Sequence, residues 1–169
     1  MGIDLQPILD SGMMTVDQID PAEISPGELM SRIRNAVEKR DARMIVLDSV
    51  NGYLNAMPEE RYLSLQLHEL LTYLNHHGVL TLMVLAQQGL IGQMNAPVDL
   101  TYLADTVILM RYFEAAGRVR QAISVVKKRS GRHERTLREY SLDENGFHVG
   151  APLTNFHGIL TGTPTMIER

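Results

Sequence analysis

The sequence contains no cysteine and no tryptophan, and aromatic residues make up only 5% of its 169 residues. Without cysteine the chain forms neither disulfide bonds nor cysteine-based zinc sites, which favours a reducing compartment. No stretch approaches the run of about 18 apolar residues that a membrane-spanning helix needs. The first residues also lack the basic-then-apolar pattern of a secretion signal. We therefore expect a cytoplasmic protein that does not enter a membrane.

An excess of positive charge is also missing, because 16 Lys and Arg residues face 20 Asp and Glu residues, for a net charge of -4. Nucleic-acid binding driven by the overall charge is thereby excluded. The chain is 44% hydrophobic. This composition and length predict a soluble globular domain with a sizeable core.

Two apolar runs that lead into polar residues predict parallel strands of an α/β sheet. The first comprises residues 44–47 and is followed by Asp48 and Ser49, and the second comprises residues 79–87. Continuous apolar runs of this length are typical of strands that are buried on both faces. Asp48 would then lie at the carboxyl end of its strand, where open α/β sheets bind their ligands.

The pattern predicts two main helices beside these strands. One begins with Ser25 as its N-cap and Pro26 as its first residue, and it ends at Lys39. The longer one begins at Pro58 and ends at Gly78. Its apolar stripe consists of five leucines: Leu63, Leu67, Leu70, Leu71 and Leu74. The pattern also predicts a short helix at residues 2–9 and a short strand at residues 13–16. Loops are predicted for the segments NGYLNAMPEE and QGLIGQMNAPVD.

After Asp105 the pattern changes to strands that are joined by short turns. The strand segments TVILMRYF, RVRQAISVVKK, ERTLREYSL and FHV are separated by Ala116-Gly117, SGRH and DENG. Short turns of this kind join antiparallel neighbours. The sequence therefore predicts an α/β portion followed by an antiparallel meander.

A phosphate-binding loop is missing from these residues. Such a loop needs the pattern G-x-x-x-x-G-K-[ST], whose glycines free backbone N–H groups to surround the phosphates while the lysine neutralises them. The chain has three lysines, Lys39, Lys127 and Lys128, and none of them follows a glycine. By residue pattern alone, Asp48 is either a Mg²⁺ ligand of a nucleotide site or an aspartate that caps the local backbone.

Four stretches together resemble the KaiC-type ATPases of the RecA superfamily, which include the circadian-clock ATPases. They are GIDLQPILDSGMMTVD, RMIVLDSVNGYL, the stretch from LADTVILMRYF to DENGFHV, and NFHGILTGTPT. The meander and the ending are specific to the family, whereas the RMIVLDSV strand alone is not. The resemblance implies a RecA-like parallel sheet that is flanked by helices and extended by a C-terminal meander.

The resemblance also implies how the domain is divided. Residues 1–169 correspond to one partial domain, with an α/β portion at 1–104, the meander at 105–150 and a C-terminal segment at 151–169. In the family, the phosphate loop and a pair of catalytic glutamates lie upstream of a segment like GIDL. We therefore expect these residues to form the C-terminal two-thirds of one domain, with no catalytic residue of their own and no ATP bound by this chain alone.

Site residues are implied by the same resemblance. Asp48 corresponds to the Walker B aspartate, which holds Mg²⁺ directly or through water, and Ser49 to its small polar neighbour. Gln87 and Gln88 correspond to a position that senses the γ-phosphate of ATP. The alternative for these two residues is a pair of amides that only satisfy the backbone of a loop.

A basic stretch follows in the meander, where residues 118–139 hold eight Arg or Lys residues against two Glu. Lys127 and Arg129 match a Lys-x-Arg that, in KaiC-type rings, reaches the ATP of the neighbouring subunit, and His133 matches a nearby histidine. The alternatives are a solvated strand face and phosphate-mediated nucleic-acid binding. The full set is Arg118, Arg120, Lys127, Lys128, Arg129, Arg132, Arg135 and Arg138.

Two further candidates are set aside on the sequence. Thr101 and Tyr102 lie where some clock ATPases carry an autophosphorylated Ser-Thr pair, and the altered residues argue against autokinase activity here. The histidines on or after the long helix are more simply solvated than metal-binding: His68, His76 and His77.

The function that the resemblance implies is ATP binding and hydrolysis in a ring of subunits, which is hexameric in the intact family and is used for signalling or timing. The cofactors that it implies for the parent domain are ATP and Mg²⁺. A second hypothesis is an interaction module without ATPase activity that assembles with intact relatives or with clock or signalling partners. A third is nucleic-acid binding, which the net charge and the lack of interleaved aromatic residues make the weakest.

Overall fold

A computed structural model describes residues 2–20, 23–56, 60–86, 100–161 and 164–166. The chain divides into two compact units, of which one comprises residues 17–87 and 96–103 and the other residues 1–16, 88–95 and 104–169. Near the start, α1 spans Gln6–Asp10. Residues 13–16 form no strand, so the strand predicted there was wrong.

Helix α2 spans Pro26–Arg40 and begins as its sequence predicts. Pro26 occupies the first turn, and the Ser25 hydroxyl accepts a hydrogen bond of 3.2 Å from the Glu28 backbone N–H. The helix ends at Asp41, which adopts a left-handed conformation with φ of 55°. The N-cap prediction is confirmed, because a serine side chain satisfies one of the free N–H groups of the first turn.

Strands β1 (Met44–Asp48) and β2 (Leu80–Val84) pair in parallel, with Met44 opposite Leu80 and Asp48 opposite Val84. Burial alternates along both strands, and one face packs against the core formed with α2 and the long helix. The expectation of burial on both faces is not met within the described residues, since the side chains on the other face are exposed: Met44, Val46, Leu80, Leu82 and Val84.

Helix α3 spans Val50–Ala56, so most of the segment predicted as the NGYLNAMPEE loop is helical. Val50 and Tyr53 are buried against Leu63 and Leu67, and this burial supplies the packing that a short helix needs. Burial also raises the pKa of Tyr53 to about 12. The loop prediction was wrong because the residues that stabilise α3 are distant in sequence.

Helix α4 spans Glu60–His76, and the predicted start at Pro58 lies outside the described residues. Four of the five stripe leucines are fully buried: Leu63, Leu67, Leu70 and Leu74. Gly78 follows the helix with φ of 66°, as a glycine at a helix end commonly does. The helical stripe is therefore confirmed. None of the described helices is long and apolar enough to cross a bilayer.

The second unit contains the predicted meander. Strands β3 (Thr106–Ala115), β4 (Arg118–Lys128), β5 (Arg138–Asp143) and β6 (Gly146–Pro152) form an antiparallel sheet in that order. A further pair, β7 (Phe156–His157) and β8 (Thr165–Met166), flanks a 3-10 helix at Ile159–Thr161. The meander prediction is confirmed, including the turns at Ala116-Gly117 and before Gly146, but the strand predicted to begin at Glu134 begins at Arg138.

The core of this unit lies on one face of β3 and β4. It is formed by Phe113, Ala115, Ala122 and Ile159, and Phe113 is completely buried. The Arg111 side chain is buried beside it and donates a hydrogen bond to the Leu160 carbonyl. This contact fastens the 3-10 helix to the sheet.

Candidate functional site

Asp48 is the last residue of β1, and its side chain is exposed. The following peptide bond, between Asp48 and Ser49, is cis. Within the described residues the Asp48 carboxylate forms no hydrogen bond or ion pair, so the backbone-capping alternative has no support there. An exposed carboxylate at the carboxyl end of a parallel strand has the chemistry of a Mg²⁺ ligand, because Mg²⁺ in nucleotide sites binds one or two carboxylates together with phosphate oxygens and water.

Asn51, in the first turn of α3, connects this strand end to the neighbouring one. Its side-chain Nδ2 donates to the Ala86 carbonyl at 2.7 Å, and its Oδ1 accepts from the Ala86 backbone N–H at 2.6 Å. Ala86 follows the end of β2 by two residues. The sequence analysis missed this contact, because no local pattern relates two residues that are 35 positions apart.

Gln87 and Gln88 lie outside the described residues. Among the residues that the structure does describe, no group of three or more His, Asp or Glu side chains is arranged to hold a metal ion. Asp48 therefore offers a single carboxylate, which fits a metal whose other ligands come from a nucleotide and from water.

Lys127 lies near the end of β4, whereas Arg129 and His133 lie on the connection between β4 and β5. Lys127 is half-buried near the end of β4, opposite Val107. The Arg129 guanidinium pairs with the Asp105 carboxylate at 2.8 Å, and the Arg129 backbone N–H donates to the Asp105 carbonyl at the same distance. Asp105 thus fixes both the backbone and the side chain of Arg129, a contact that the sequence analysis did not predict.

The ion pair of Arg129 is nevertheless weak. Its two side chains are 60% and 61% exposed, and exposed pairs contribute only about 0.2–1 kcal/mol. The Arg129 guanidinium can therefore leave Asp105 for a more highly charged partner at small cost. His133 differs, because its ring is half-buried and its Nδ1 has no hydrogen-bond partner among the described residues.

Arg120 has a structural role on the core face of the sheet. Its guanidinium pairs with both carboxylate oxygens of Glu139, at 2.7 and 2.6 Å, and lies 5.5 Å from the Phe113 ring and 5.4 Å from the Phe156 ring. The hydrogen bond from Arg120 lowers the pKa of Glu139, and the same bond raises the pKa of Arg120. A two-point pair of this geometry positions β4 against β5.

Arg138 is similarly engaged, with Glu134 at 3.3 Å and the Gly150 carbonyl at 3.1 Å. Hydrogen bonds from Thr136, followed by that from Arg138, lower the pKa of Glu134 to about 2. Arg120 and Arg138 are therefore held in ion pairs within the unit, which reduces the cationic surface left for nucleic acid, whereas the exposed pair of Arg129 does not. Four others are exposed and form no ion pair within the described residues: Arg118, Lys128, Arg132 and Arg135.

Within the described part of the chain, none of the three histidines set aside on the sequence belongs to a group of side chains that could hold a metal ion. Tyr102 is exposed, and Thr101 lies beside it on the surface. His77 stacks on Tyr73 with ring centroids 4.2 Å apart, and Tyr73 in turn donates to Glu38 on α2. His77 is thus part of the contact between α2 and α4.

A family model described as the ATPase KaiC matches residues 1–154. A segment of 62 residues, 37% of this chain, is 45% identical to the circadian clock protein KaiC3 of Synechocystis sp., of which it covers 12%. A segment of 66 residues, 39% of the chain, is 39% identical to the circadian clock oscillator protein KaiC of Thermostichus vulcanus, of which it covers 13%.

The alignments thus span about an eighth of these curated relatives, whereas the family model spans most of this chain. The α/β architecture with its parallel strand pair and four-stranded antiparallel sheet is consistent with a RecA-like fragment. On the match over residues 1–154, the chain belongs to the KaiC family of ATPases.

Proposed function

We propose that this chain contributes to an ATP-hydrolysing ring in two ways: Asp48 takes part in holding Mg²⁺ beside ATP, and Lys127 and Arg129 contact the ATP of a neighbouring subunit. The observation that carries the proposal is the exposed Asp48 carboxylate at the carboxyl end of β1, in a chain that the KaiC family model matches. Bound ATP and Mg²⁺ would supply the phosphoryl group and its charge neutralisation.

The proposed roles follow from the chemistry of each side chain. Asp48 supplies an oxygen ligand, while Lys127 and Arg129 supply positive charge where negative charge develops on the transferred phosphoryl group. His133, which is half-buried on the same connection, is proposed as a further contact to that ATP. Ser49, Gln87 and Gln88 are proposed to complete the nucleotide side of the site.

An ATP titration tests the first part. We expect the 169-residue chain alone to show no saturable heat with Mg-ATP, because no loop of its sequence surrounds the phosphates and one carboxylate repels them. A chain in which a segment carrying G-x-x-x-x-G-K-[ST] precedes residue 1 should bind Mg-ATP and hydrolyse it. In that longer chain, Asp48→Asn should weaken the Mg²⁺ dependence, with Asp41→Asn as the control.

Two outcomes contradict this part of the proposal. A micromolar dissociation constant for Mg-ATP with the 169-residue chain would show that the phosphates are held in another way. Unchanged Mg²⁺ dependence in the Asp48→Asn variant would remove Asp48 from the site. If the longer chain assembles but neither binds nor hydrolyses ATP, the second hypothesis, an interaction module without ATPase activity, is the better account.

Self-association is the partner interaction that we propose. Strand β2 pairs with β1 along one edge, and β3 is an outer strand of its own sheet. Apolar side chains on both strands are exposed, with Leu82 at 45% and Met110 at 47%. Outer strands with exposed apolar side chains recruit another chain through strand pairing, so a second copy of this chain is the expected occupant.

Light scattering over a dilution series measures this association. We expect oligomers that dissociate on dilution, and we expect Leu82→Lys or Met110→Lys to shift the midpoint to at least about tenfold higher concentration, because a buried lysine opposes pairing. Leu65→Lys is the matched control, since Leu65 is a 56% exposed leucine on α4. A soluble monomer at every concentration would rule the proposal out.

A further inference from the structure

The contact between Asn51 and Ala86 lies where the two parallel strands end. The register of β1 and β2 runs from Met44 and Leu80 to Asp48 and Val84, and the pairing then stops because the chain turns into α3 at Val50. Ala86, two residues further along, has no β1 residue opposite it. In a parallel ladder the N–H and C=O of one residue face the same neighbouring strand, so both groups of Ala86 need a substitute partner.

The Asn51 side chain is that partner. It donates to the Ala86 carbonyl at 2.7 Å and accepts from the Ala86 N–H at 2.6 Å, so its amide replaces the next rung of the ladder. A carboxamide carries a donor and an acceptor in one planar group, whereas a carboxylate accepts but does not donate and an alkyl group does neither. The first turn of α3 is thereby tied to the backbone that leaves β2.

We propose that Asn51 is a positioning residue that keeps the Asp48 end of β1 and the chain leaving β2 at Ala86 in a fixed relation, so that a change at Asp48 is transmitted to Ala86. The inference rests on the proposed role of Asp48. It assigns to Asn51 the step by which occupation of the Asp48 site alters the backbone at Ala86. The connection is short, because Asn51 follows Asp48 by three residues in the chain and its side chain contacts Ala86 directly.

Amide hydrogen exchange of the ¹⁵N-labelled 169-residue chain measures the contact itself. We expect Asn51→Ala to speed exchange at the Ala86 N–H by at least about fivefold, since one net hydrogen bond is lost. Asn51→Asp keeps the acceptor and should retain part of the protection of the Ala86 N–H from exchange. This variant keeps the test possible if Asn51→Ala folds poorly. Asn75→Ala, at an exposed asparagine near the end of α4, is the matched control and should leave Ala86 unchanged.

A double-mutant cycle then separates positioning from a merely local contact. Asp48→Asn removes the charge at the end of β1. We expect it to shift the Ala86 amide resonance when Asn51 is present, but not in a chain that also carries Asn51→Ala. Asp41→Asn removes a negative charge three residues before β1, and it should not shift the Ala86 amide resonance with or without Asn51→Ala. If Asp48 acts on Ala86 through Asn51, the two substitutions must be non-additive. If Asp48 and Asn51 act on Ala86 independently, their effects add.

Additive effects of Asp48→Asn and Asn51→Ala on Ala86, or unchanged Ala86 exchange in Asn51→Ala, would overturn the inference. The measurement needs no nucleotide. Its outcome is therefore independent of whether the longer chain binds ATP, and a failure of the proposed function is distinguishable from a failure of this inference.

Discussion

In the longer chain that carries a phosphate loop before residue 1, Arg129→Ala is expected to lower ATP turnover by about a thousandfold. Nucleotide affinity should change by no more than a few-fold. The reason is that a cation which meets the phosphoryl group from a neighbouring subunit acts mainly on the transition state. The exposed pair with Asp105 does not oppose this role, because breaking it costs only about 0.2–1 kcal/mol. Steady-state turnover and equilibrium nucleotide binding, measured on the same preparation, give the two quantities.

Two variants on the same connection sharpen that test. Arg135→Ala removes an exposed arginine that forms no ion pair within the described residues, and it should leave turnover within about twofold of the natural chain, because surface substitutions have small effects. Arg129→Lys keeps the charge but loses the planar two-point donor, so an intermediate loss is expected. Unchanged turnover in Arg129→Ala would remove this residue from the site, and an equal loss in Arg135→Ala would indicate a nonspecific charge effect.

Phe113→Ala is expected to reduce the free energy of unfolding of the meander unit by about 3–5 kcal/mol, the usual cost of truncating a buried phenylalanine. Phe113 is 0% exposed and packs against Ala122 and Ile159. Its ring also lies 5.9 Å from the Phe156 ring and 5.5 Å from the Arg120 guanidinium. The variant therefore leaves a cavity and weakens the support of the Arg120–Glu139 pair. Urea denaturation followed by hydrogen exchange of β3 and β4 measures the loss.

The neighbouring position provides the control. Tyr112→Ala changes the preceding residue of the same strand, whose side chain is 41% exposed. It should lower the free energy of unfolding by about 1 kcal/mol or less, much less than Phe113→Ala does. Phe113→Leu fills most of the space and should cost about 1–1.5 kcal/mol. If Phe113→Ala costs no more than Tyr112→Ala, the core of this unit does not depend on Phe113 as the structure indicates.

Local patterns in the sequence determined several elements correctly. The Ser25 cap and Pro26 specified where α2 begins, the leucine stripe specified the buried face of α4, and Gly117 and Gly146 marked the meander turns. These features depend on neighbours within about four residues, so the physical signal lies in the sequence itself. The identification of the KaiC family also came from the sequence, and the family model bears it out.

Only the tertiary structure decided the features that depend on distant residues. Helix α3 forms because Val50 and Tyr53 are buried against α4. The Asn51 amide bonds to Ala86, 35 positions away, and Arg129 pairs with Asp105 at the end of the β3–β4 pair. No local pattern encodes such contacts, since each partner is chosen by the path of the chain in space.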